Sequence, residues 1–316
     1  MLAIVLVCLF VACNSDAKEG SAAQRGSSAA PTSAGRTSTG FSGTAAYDYA
    51  KTQVAFGPRV PGTSAAKQAG DWIIRQMRAR ADTVIVQSFT HTTADGRKLQ
   101  LRNILARFRP ELPERVLYVT HWDSRPVSES ATTEAEKKMP VPGANDGASG
   151  VGLFVALGDV LKKTKPNVGV DLLFTDGEDY GQFGPPEVDV LIGSKYFADH
   201  PPSPGYKPLY GVLWDMIGDK DLRIPYEMNS FQQAPEVVSR VWQTAADMGY
   251  GDIFVQESGG LVVDDHIPLL KSGMRVIDVI DLDYPPHHTP QDTMDKISAK
   301  SLATVGDVAT ALVMRK

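Results

Sequence analysis

The spacing of apolar residues alternates between two periods, and from about residue 45 onward it defines a regular series of elements. Apolar positions three and four residues apart indicate amphipathic helices, and short apolar runs bounded by turn residues indicate strands. The predicted helices cover residues 45–54, 65–79, 148–163, 234–248 and 298–314. The predicted strands cover residues 82–91, 99–108, 115–120, 168–175, 209–214 and 275–281.

The order of these elements predicts the fold class. The first two strands are expected to form a hairpin across residues 94–96. Later strands alternate with helices, which is typical of parallel strands joined by helical crossovers. We therefore expect a single α/β domain with a mixed, mainly parallel central sheet flanked by helices, over residues 45–316.

The N-terminal segment has a different composition. Residues 1–12 are almost wholly apolar but too few to span a bilayer as a helix, which is typical of a signal-peptide core. Its end, Leu-Phe-Val-Ala-Cys at residues 9–13, resembles a lipoprotein cleavage box, so residues 1–13 predict a signal peptide with Cys13 lipidated. Residues 14–44 are rich in Ser, Ala, Gly and Thr and predict a disordered linker. We expect an exported, periplasmic or cell-envelope protein, bound to a membrane only through the lipid on Cys13.

Charge and cysteine content narrow the possible chemistry. The net charge is −5 and the pI is about 5.7, which argues against a nucleic-acid partner. Both cysteines, Cys8 and Cys13, lie in the predicted signal peptide, so the domain has no disulfide framework and no cysteine-based zinc site. Any metal must be held by histidine and carboxylate side chains.

A cluster of acids follows the predicted strand at 168–175. Asp176, Glu178 and Asp179 stand within four residues at the end of a buried apolar run. Clustered carboxylates next to a buried strand are costly unless a cation lies near them. One interpretation is a metal-assisted site, with one acid on the metal and its neighbour moving protons. The alternative is a solvated acidic loop.

Four other segments end in histidine or acid after an apolar run or a tight loop. His121 could bind a metal while Asp123, two residues later, fixes the orientation of its ring. A lone histidine is, however, often structural, and Asp146 could be a helix cap. The distribution over five segments favours one metal-assisted active site at the carboxyl ends of the strands. These segments contribute His121 and Asp123, Asp146, Asp215, the run Asp264, Asp265 and His266, and the pair His287 and His288.

Taken in order, these segments resemble a known family. His-Trp-Asp-Ser, Gly-Ala-Asn-Asp-Gly-Ala-Ser-Gly, Asp-Gly-Glu-Asp, Leu-Trp-Asp-Met-Ile-Gly and His-His-Thr-Pro-Gln-Asp-Thr are similar to the M28 zinc aminopeptidases. Asp-Asp-His-Ile-Pro and Leu-Ile-Gly-Ser-Lys-Tyr-Phe-Ala resemble the glutaminyl-peptide cyclotransferases within that family. The resemblance runs from about Phe56 to the end of the chain.

The resemblance implies roles for particular residues. It implies a zinc ion held by Asp146, Asp179 and His288, with Glu178 as general acid and base. Asp264 and Asp215 would belong to the catalytic hydrogen-bond network beside Glu178. The chain departs from the animal cyclotransferases because Asp179 replaces a Glu, His287 replaces a Trp, and the disulfide cysteines are absent.

Two activities follow from the same residues. The first expectation is a zinc-dependent cyclotransferase that converts the N-terminal Gln of peptides or proteins to pyroglutamate and releases ammonia. The alternative is an aminopeptidase with two zinc ions, the second one held by His121 and Asp215 beside a bridging Asp146. A non-catalytic binding module would not need Glu178. The chain contains neither Gly-x-Ser-x-Gly nor His-Glu-x-x-His, so a serine hydrolase and the other common zinc peptidase design lack support.

Overall fold

The structure is a computed structural model that describes residues 36–314 of the 316-residue chain. The predicted signal peptide, with Cys13, and residues 14–35 of the predicted linker lie outside the described residues. Within residues 36–314, none of the helices combines the length and apolarity needed to cross a membrane.

The domain begins earlier than predicted, because residues 36–44 pack against it. Thr39 donates hydrogen bonds to Asp307 from its backbone N–H and its hydroxyl, at 2.8 and 2.7 Å. Phe41 is buried in the hydrophobic core, and the Ser42 hydroxyl caps the first helix. The predicted linker boundary at residue 44 is therefore wrong for these nine residues. Their small polar composition predicts no packing, but one aromatic side chain and a few hydrogen bonds anchor them.

The strands in the described residues form two sheets. The main sheet has the order β1-β2-β4-β3-β5-β8, and it contains β1 (Thr83–Thr92), β2 (Lys98–Phe108), β3 (Arg115–His121), β4 (Gly169–Thr175), β5 (Tyr210–Asp215) and β8 (Val276–Ile280). The small sheet pairs β6 (Ile224–Tyr226) with β7 (Phe254–Ser258). In the main sheet β1, β2 and β4 pair antiparallel, whereas β4, β3, β5 and β8 pair parallel. The predicted mixed, mainly parallel sheet is confirmed.

Helices cover both faces of the main sheet. The helices are α1 (Gly43–Val54), α2 (Ser64–Arg78), α3 (Ala148–Lys163), α4 (Ile192–Asp199), α5 (Met228–Gln233), α6 (Pro235–Asp247), α7 (His266–Lys271) and α8 (Ala299–Met314). Alternate residues of β3 point to opposite faces, so Tyr118 joins the core under α1, α3 and α8, while Leu117 and Val119 join a smaller core with α4 and α7. This two-sided burial explains why β3 reads as a continuous apolar run.

The predicted helices and strands are all present, with ends within two residues of the predicted ones. The elements that sequence reasoning missed are short: α4, α5, α7, β6, β7 and a single 3-10 turn at Glu136–Lys138. A segment of three to eight residues spans too few periods to give a periodic signal. Tertiary packing rather than local pattern determines these elements.

The topology brings the candidate site together. The chain leaves β3 to one side for β4 and returns to the other side for β5, so the strand order reverses at β3. Ligands of open α/β sheets bind beyond the carboxyl ends of the strands at such a reversal. His121 is the last residue of β3 and Asp215 is the last residue of β5, while Asp176 directly follows β4.

Candidate metal centre and active-site cleft

A cleft of about 590 Å³ opens at this edge of the sheet. Seven of the residues singled out in the sequence line it: Asp146, Glu178, Asp179, Asp215, Asp264, His287 and His288. His121 is fully buried behind them. The acids are themselves buried, so the solvated-loop interpretation of the Asp176–Asp179 segment does not hold.

Asp146 lies at the centre of the cleft floor. It stands in a turn that ends at Gly147, whose φ of +90° is a conformation that glycine adopts readily. A Cβ at Gly147 would lie 2.8 Å from the Asp123 carbonyl oxygen and 3.0 Å from the His121 ring, so glycine lets this turn approach β3. Helix α3 has no side-chain cap. Asp146 is therefore not a helix cap, and its carboxylate points into the site.

His288 and Asp179 lie on one side of Asp146. The His288 Nε2 atom is 3.6 Å from Oδ2 of Asp146 and 3.4 Å from Oδ1 of Asp179. His287 Nε2 lies 3.9 Å from the same Asp146 oxygen, and ligand atoms of Asp146, His287 and His288 all fall within 4.8 Å of one another. These side chains form a compact set of carboxylate and imidazole donors.

Asp179 lies beside the compact set of Asp146, His287 and His288 and pairs with a cation of the protein. Its Oδ1 atom accepts a hydrogen bond from Nη1 of Arg125 at 2.6 Å, while its Oδ2 atom is buried without a hydrogen-bond partner. Burial and the neighbouring Asp146 carboxylate raise the pKa of Asp179 to about 7. One oxygen of Asp179 is thus held in place and the other is free for a ligand.

Glu129 fixes the orientation of the His288 ring. The Nδ1 atom of His288 donates to Oε1 of Glu129 at 2.8 Å, which leaves Nε2 directed at Asp146 and Asp179. Arg125 Nε donates to the other Glu129 oxygen at 2.6 Å, so Arg125 links Glu129 to Asp179. A carboxylate on the far nitrogen of a ligand histidine is a recurring feature of metal sites.

His121 lies on the other side of Asp146. Its Nε2 atom is 3.0 Å from Oδ1 of Asp146 and 3.2 Å from Oδ1 of Asp215, and the three residues form a second compact donor set. Neither ring nitrogen of His121 makes a hydrogen bond of good geometry. Burial alone would lower the pKa of His121, but the carboxylates of Asp215, Asp123 and Asp146 outweigh it and raise that pKa well above 6.5.

Asp123 has a different role from the one predicted. Sequence reasoning expected its carboxylate to orient the His121 ring, but the Nδ1–Oδ1 distance is 3.5 Å and Nδ1 has no hydrogen-bond partner. Instead, Asp123 accepts hydrogen bonds from the backbone N–H groups of Glu178 and Asp179, at 3.1 and 3.2 Å. It therefore holds the acidic turn after β4 against β3.

Glu178, Asp264 and Asp215 form the acidic wall of the cleft. Burial raises the pKa of Glu178 well above 4.5, and the neighbouring carboxyls of Asp264 and Asp179 add to this effect against the opposing charge of His121. Burial and the charges of Asp215 and Asp265 likewise raise the pKa of Asp264. A carboxyl whose pKa is raised by burial accepts a proton more readily than an ordinary surface carboxylate.

Asp265 and His266 lie behind this wall and do not line the cleft. Asp265 accepts a hydrogen bond from the Thr175 hydroxyl at the end of β4. His266 is fully buried, with Nε2 at 3.2 Å from Glu227. Both residues anchor the segment that presents Asp264. His266 belongs to neither of the compact metal-donor sets found in residues 36–314.

Sequence reasoning missed three residues that support the site. Arg125 directly follows the His-Trp-Asp-Ser segment, Glu129 comes four residues later, and Asp292 lies within the His-His-Thr-Pro-Gln-Asp-Thr segment. Asp292 accepts from the backbone N–H groups of Asn145 and Asp146, at 2.8 and 3.1 Å. Proximity in sequence to candidate ligands is an available signal, but the site residue that each one holds, Asp179, His288 or Asp146, comes from a distant part of the chain.

The donor set fits zinc. Tetrahedral zinc, with bonds of about 2.0–2.2 Å to nitrogen and oxygen, separates its ligand atoms by roughly 3.3 Å. The His288 Nε2 atom stands 3.6 Å from Oδ2 of Asp146 and 3.4 Å from Oδ1 of Asp179, the oxygen that also accepts from Arg125. The unpartnered Oδ2 of Asp179 and the unpartnered nitrogens of His121 are further donors that a cation would satisfy.

An α/β sheet whose strand ends converge on carboxylate and imidazole donors defines a metal-dependent enzyme. The chain belongs to Peptidase family M28, whose family model matches residues 103–313. This membership implies zinc as the metal, in agreement with the donor set.

Relatives of two kinds are similar to the chain. It is 38% identical to Porphyromonas gingivalis glutaminyl cyclase, over 86% of this chain and 97% of that structure, with a TM-score of 0.83. It is 34% identical to a Zn-dependent exopeptidase from Parabacteroides distasonis, over 87% of this chain and 99% of that structure, with a TM-score of 0.82. It is 24% identical to a Bacillus subtilis aminopeptidase over 80% of this chain, and it spans about half (51%) of that protein's length.

Proposed function

We propose that the protein is a zinc-dependent glutaminyl-peptide cyclotransferase, which converts an N-terminal glutamine of peptides or proteins to pyroglutamate. The observation that carries the proposal is the convergence of Glu178, Asp264 and Asp215 on the cleft wall facing Asp146, Asp179 and His288. Such a wall can bind an α-amine and move its proton. The similarity to a bacterial glutaminyl cyclase supports the same activity.

Asp146, Asp179 and His288 would hold the zinc ion. When bound there, zinc supplies Lewis-acid polarisation of the carbonyl group of the glutamine side chain. Arg125 and Glu129 hold Asp179 and His288 in the orientation that this requires. Asp292 fixes the backbone at Asp146.

Glu178 would move the proton. The α-nitrogen of the substrate forms a bond to the side-chain carbonyl carbon, and Glu178 accepts the proton that this nitrogen loses. The bond between that carbon and the amide nitrogen then breaks, and Glu178 returns the proton to the departing ammonia. The raised pKa of Glu178 suits both directions of transfer. Asp264 and Asp215 would orient the α-amine through charge-assisted hydrogen bonds.

The alternative function is a metallo-aminopeptidase with two zinc ions. Its support is the second compact donor set, His121, Asp146 and Asp215, together with the exopeptidase relatives. In that reaction Glu178 would again move protons, and Asp146 would contribute to both donor sets. The two functions therefore differ in the metal count and in which bond of the substrate breaks.

Mass spectrometry of a Gln-initiated peptide after incubation with the zinc-loaded protein separates the two functions. Loss of ammonia from an otherwise intact peptide is the result expected of a cyclotransferase. Release of the first residue would identify an aminopeptidase instead. The same peptide beginning with Leu is the control, because it offers a peptide bond to a peptidase but no side-chain amide to a cyclotransferase.

A further inference from the structure

A fully buried arginine lies behind the metal centre. Arg59 belongs to the loop between α1 and α2, at residues 55–63, and its exposed fraction is 0%. The backbone N–H of Ser124 donates to its carbonyl oxygen at 3.4 Å, which ties this loop to the segment after β3. The steps proposed for catalysis do not use Arg59. Burying a guanidinium costs free energy unless its surroundings offset the charge, so its partners indicate what it does.

Arg59 holds the turn that carries Asp146. Its Nη2 atom donates to the carbonyl oxygen of Gly143 at 2.6 Å, and its Nη1 atom donates to that of Pro142. The Gly143 oxygen also accepts from the backbone N–H of Ala148 at 3.3 Å, so Arg59 fixes an oxygen that closes the turn around Asp146. A Cβ at Gly143 would lie 2.7 Å from Nη2, so a side chain at this position would displace the guanidinium.

Arg59 and Asp292 hold this turn at different points. Asp292 accepts from the backbone N–H groups of Asn145 and Asp146, whereas Arg59 donates to the two carbonyl oxygens of residues 142 and 143. A buried backbone group without a partner is costly, so both residues stabilise the conformation that directs the Asp146 carboxylate into the cleft. The loss of either one should loosen the turn.

The charge of Arg59 also acts on the carboxylates of the site. Burial lowers the pKa of Arg59 to about 10, while the charges of Asp292, Asp146 and Asp123 oppose this fall. The guanidinium therefore stays positively charged at neutral pH. Its hydrogen bonds go to carbonyl oxygens and not to a carboxylate, so its charge is shared by the three acids. Opposite charges attract strongly in a buried environment, because water and salt screen them little there.

We propose that Arg59 is a positioning residue of the metal centre, which holds the Asp146 turn and supplies a fixed positive charge beside the carboxylates. The inference rests on Asp146 as a zinc ligand, and this assignment is common to the proposed cyclotransferase and the alternative aminopeptidase. Arg59 does not line the cleft, so it acts through Asp146 and not on the substrate. Replacing a residue that supports a metal ligand commonly lowers metal affinity by about 10–100-fold.

Arg59→Met and Arg59→Lys separate the charge from the packing. Arg59→Met has a long apolar side chain without charge, and it should weaken zinc binding by about 10–100-fold. Arg59→Lys keeps the charge and a donor group, so it should bind zinc more tightly than Arg59→Met. Packing alone would favour the opposite order, because methionine buries no charge. Chelator competition measures the zinc dissociation constants, and calorimetry with a chelator present gives the Tm of each metal-free variant.

Arg115→Met is the matched control. Arg115 is also buried, with 5% of its surface exposed, and it donates to the carbonyl oxygens of Arg109 and Leu112 and to Asp171. It is the first residue of β3 and lies at the opposite end of that strand from His121. Its replacement should lower the Tm of the metal-free protein and leave the zinc affinity unchanged.

A wild-type zinc affinity in folded Arg59→Met would overturn the inference. So would an affinity that falls in step with the Tm across the Arg59 and Arg115 variants, because Arg59 would then only support the fold. If Arg59→Met did not fold, Arg59→Lys would be compared with Arg115→Lys, and the inference requires weaker zinc binding in the first alone. The peptide products of the wild type decide the proposed function, so that proposal and this inference can fail separately.

Discussion

The two sides of Asp146 offer similar donors but have different surroundings. On one side, His288 is held at Nδ1 by Glu129, and its Nε2 atom faces the cleft. On the other side, His121 is completely buried, and neither of its ring nitrogens makes a good hydrogen bond. On the first side, the His288 ring is already held in an orientation that suits a metal ligand. On the second side, the buried ring nitrogens of His121 need a proton or a cation as a partner.

This difference offers a physical reason why one family can contain both cyclotransferases and aminopeptidases. A protonated His121 between Asp146 and Asp215 would supply one positive charge where a second zinc would supply two. The orientated side with His288 would hold a metal in either case. We therefore expect zinc on the His121 side to distinguish an aminopeptidase from a cyclotransferase. Zinc on the His288 side should be common to both.

The largest expected effect comes from Glu178, which directly precedes Asp179 and lies 3.8 Å from His121. Glu178→Gln should lower kcat by about 10²–10⁴-fold, because the amide cannot accept a proton. The zinc content and the folded structure should be unchanged, since Glu178 is not expected to bind the metal. Enzyme assays, zinc analysis and circular dichroism on the same preparation measure all three properties. Activity close to that of the wild type would rule out the assigned role.

Replacing each histidine by alanine tests the comparison directly. For the proposed cyclotransferase, His288→Ala should lose stoichiometric zinc and activity together. His121→Ala should keep one zinc per chain, because the His288 side remains intact. Metal analysis after dialysis gives the zinc content of the wild type and both variants, and circular dichroism checks that each variant is folded. If the wild type held two zinc ions and each variant lost one, the two-zinc aminopeptidase would be favoured.

A smaller effect is expected for Glu129, which orients the His288 ring but is not itself a proposed metal ligand. Glu129→Ala should weaken zinc binding by about 10–100-fold, because the His288 ring loses its orienting partner. Glu129→Gln can still accept the hydrogen bond from Nδ1 and should recover part of the affinity. Competition with a chromophoric chelator measures the zinc affinity of each variant.

Glu134→Ala provides the matched control for the Glu129 variant. Glu134 lies in the same loop and pairs with Lys137 at the surface, with 83% of its side chain exposed. Its replacement should leave the zinc affinity unchanged. Equal affinities for Glu129→Ala and the wild type would show that the contact with His288 has no positioning role.

The sequence predicts one part of this site far better than the other. Apolar periodicity predicts every element longer than eight residues in the described chain. Acids and histidine at strand ends predict that His121, Asp146, Glu178 and Asp215 converge on one sheet edge. The ordering of His288 does not, because it depends on Glu129, which is 159 positions away in the chain. Side-chain partners of this kind are set by loop conformations, which apolar periodicity does not encode.

The sequence also does not predict short segments that pack through a few contacts with distant residues. Residues 36–44 have the composition of a linker, yet Phe41 reaches the core and Thr39 bonds to Asp307. His266 looked like a further site residue, but it is buried against Glu227. In both cases a few contacts with distant residues determine the structure, and composition carries no record of them.

The smallest expected effect concerns the stability of the metal-free protein. Burial raises the pKa of Asp179 to about 7, with a further contribution from Asp146, and burial also raises the pKa of Asp281 to about 7. For such carboxyls the folded state binds more protons than the unfolded chain between about pH 4 and 7. Stability should therefore fall as pH rises through this window. His121, whose pKa is raised, acts in the same direction, because its favourable charge is lost as pH rises through the raised value.

Calorimetry at pH 5.5 and 8.0 in the presence of a chelator tests this dependence. We expect the Tm of the metal-free protein to be lower at pH 8.0, by about 2–4 °C for each kcal/mol lost. Glu129 cannot mask this loss of stability. Its pKa is lowered to about 2, so the stability that its ionised form contributes is already complete above about pH 5. Zinc should raise the Tm more at pH 8.0 than at pH 5.5, since it favours the ionised Asp179. If zinc stabilised the protein equally at both pH values, the metal would not be bound by a group that titrates in this range, and Asp179 would lose its place among the ligands.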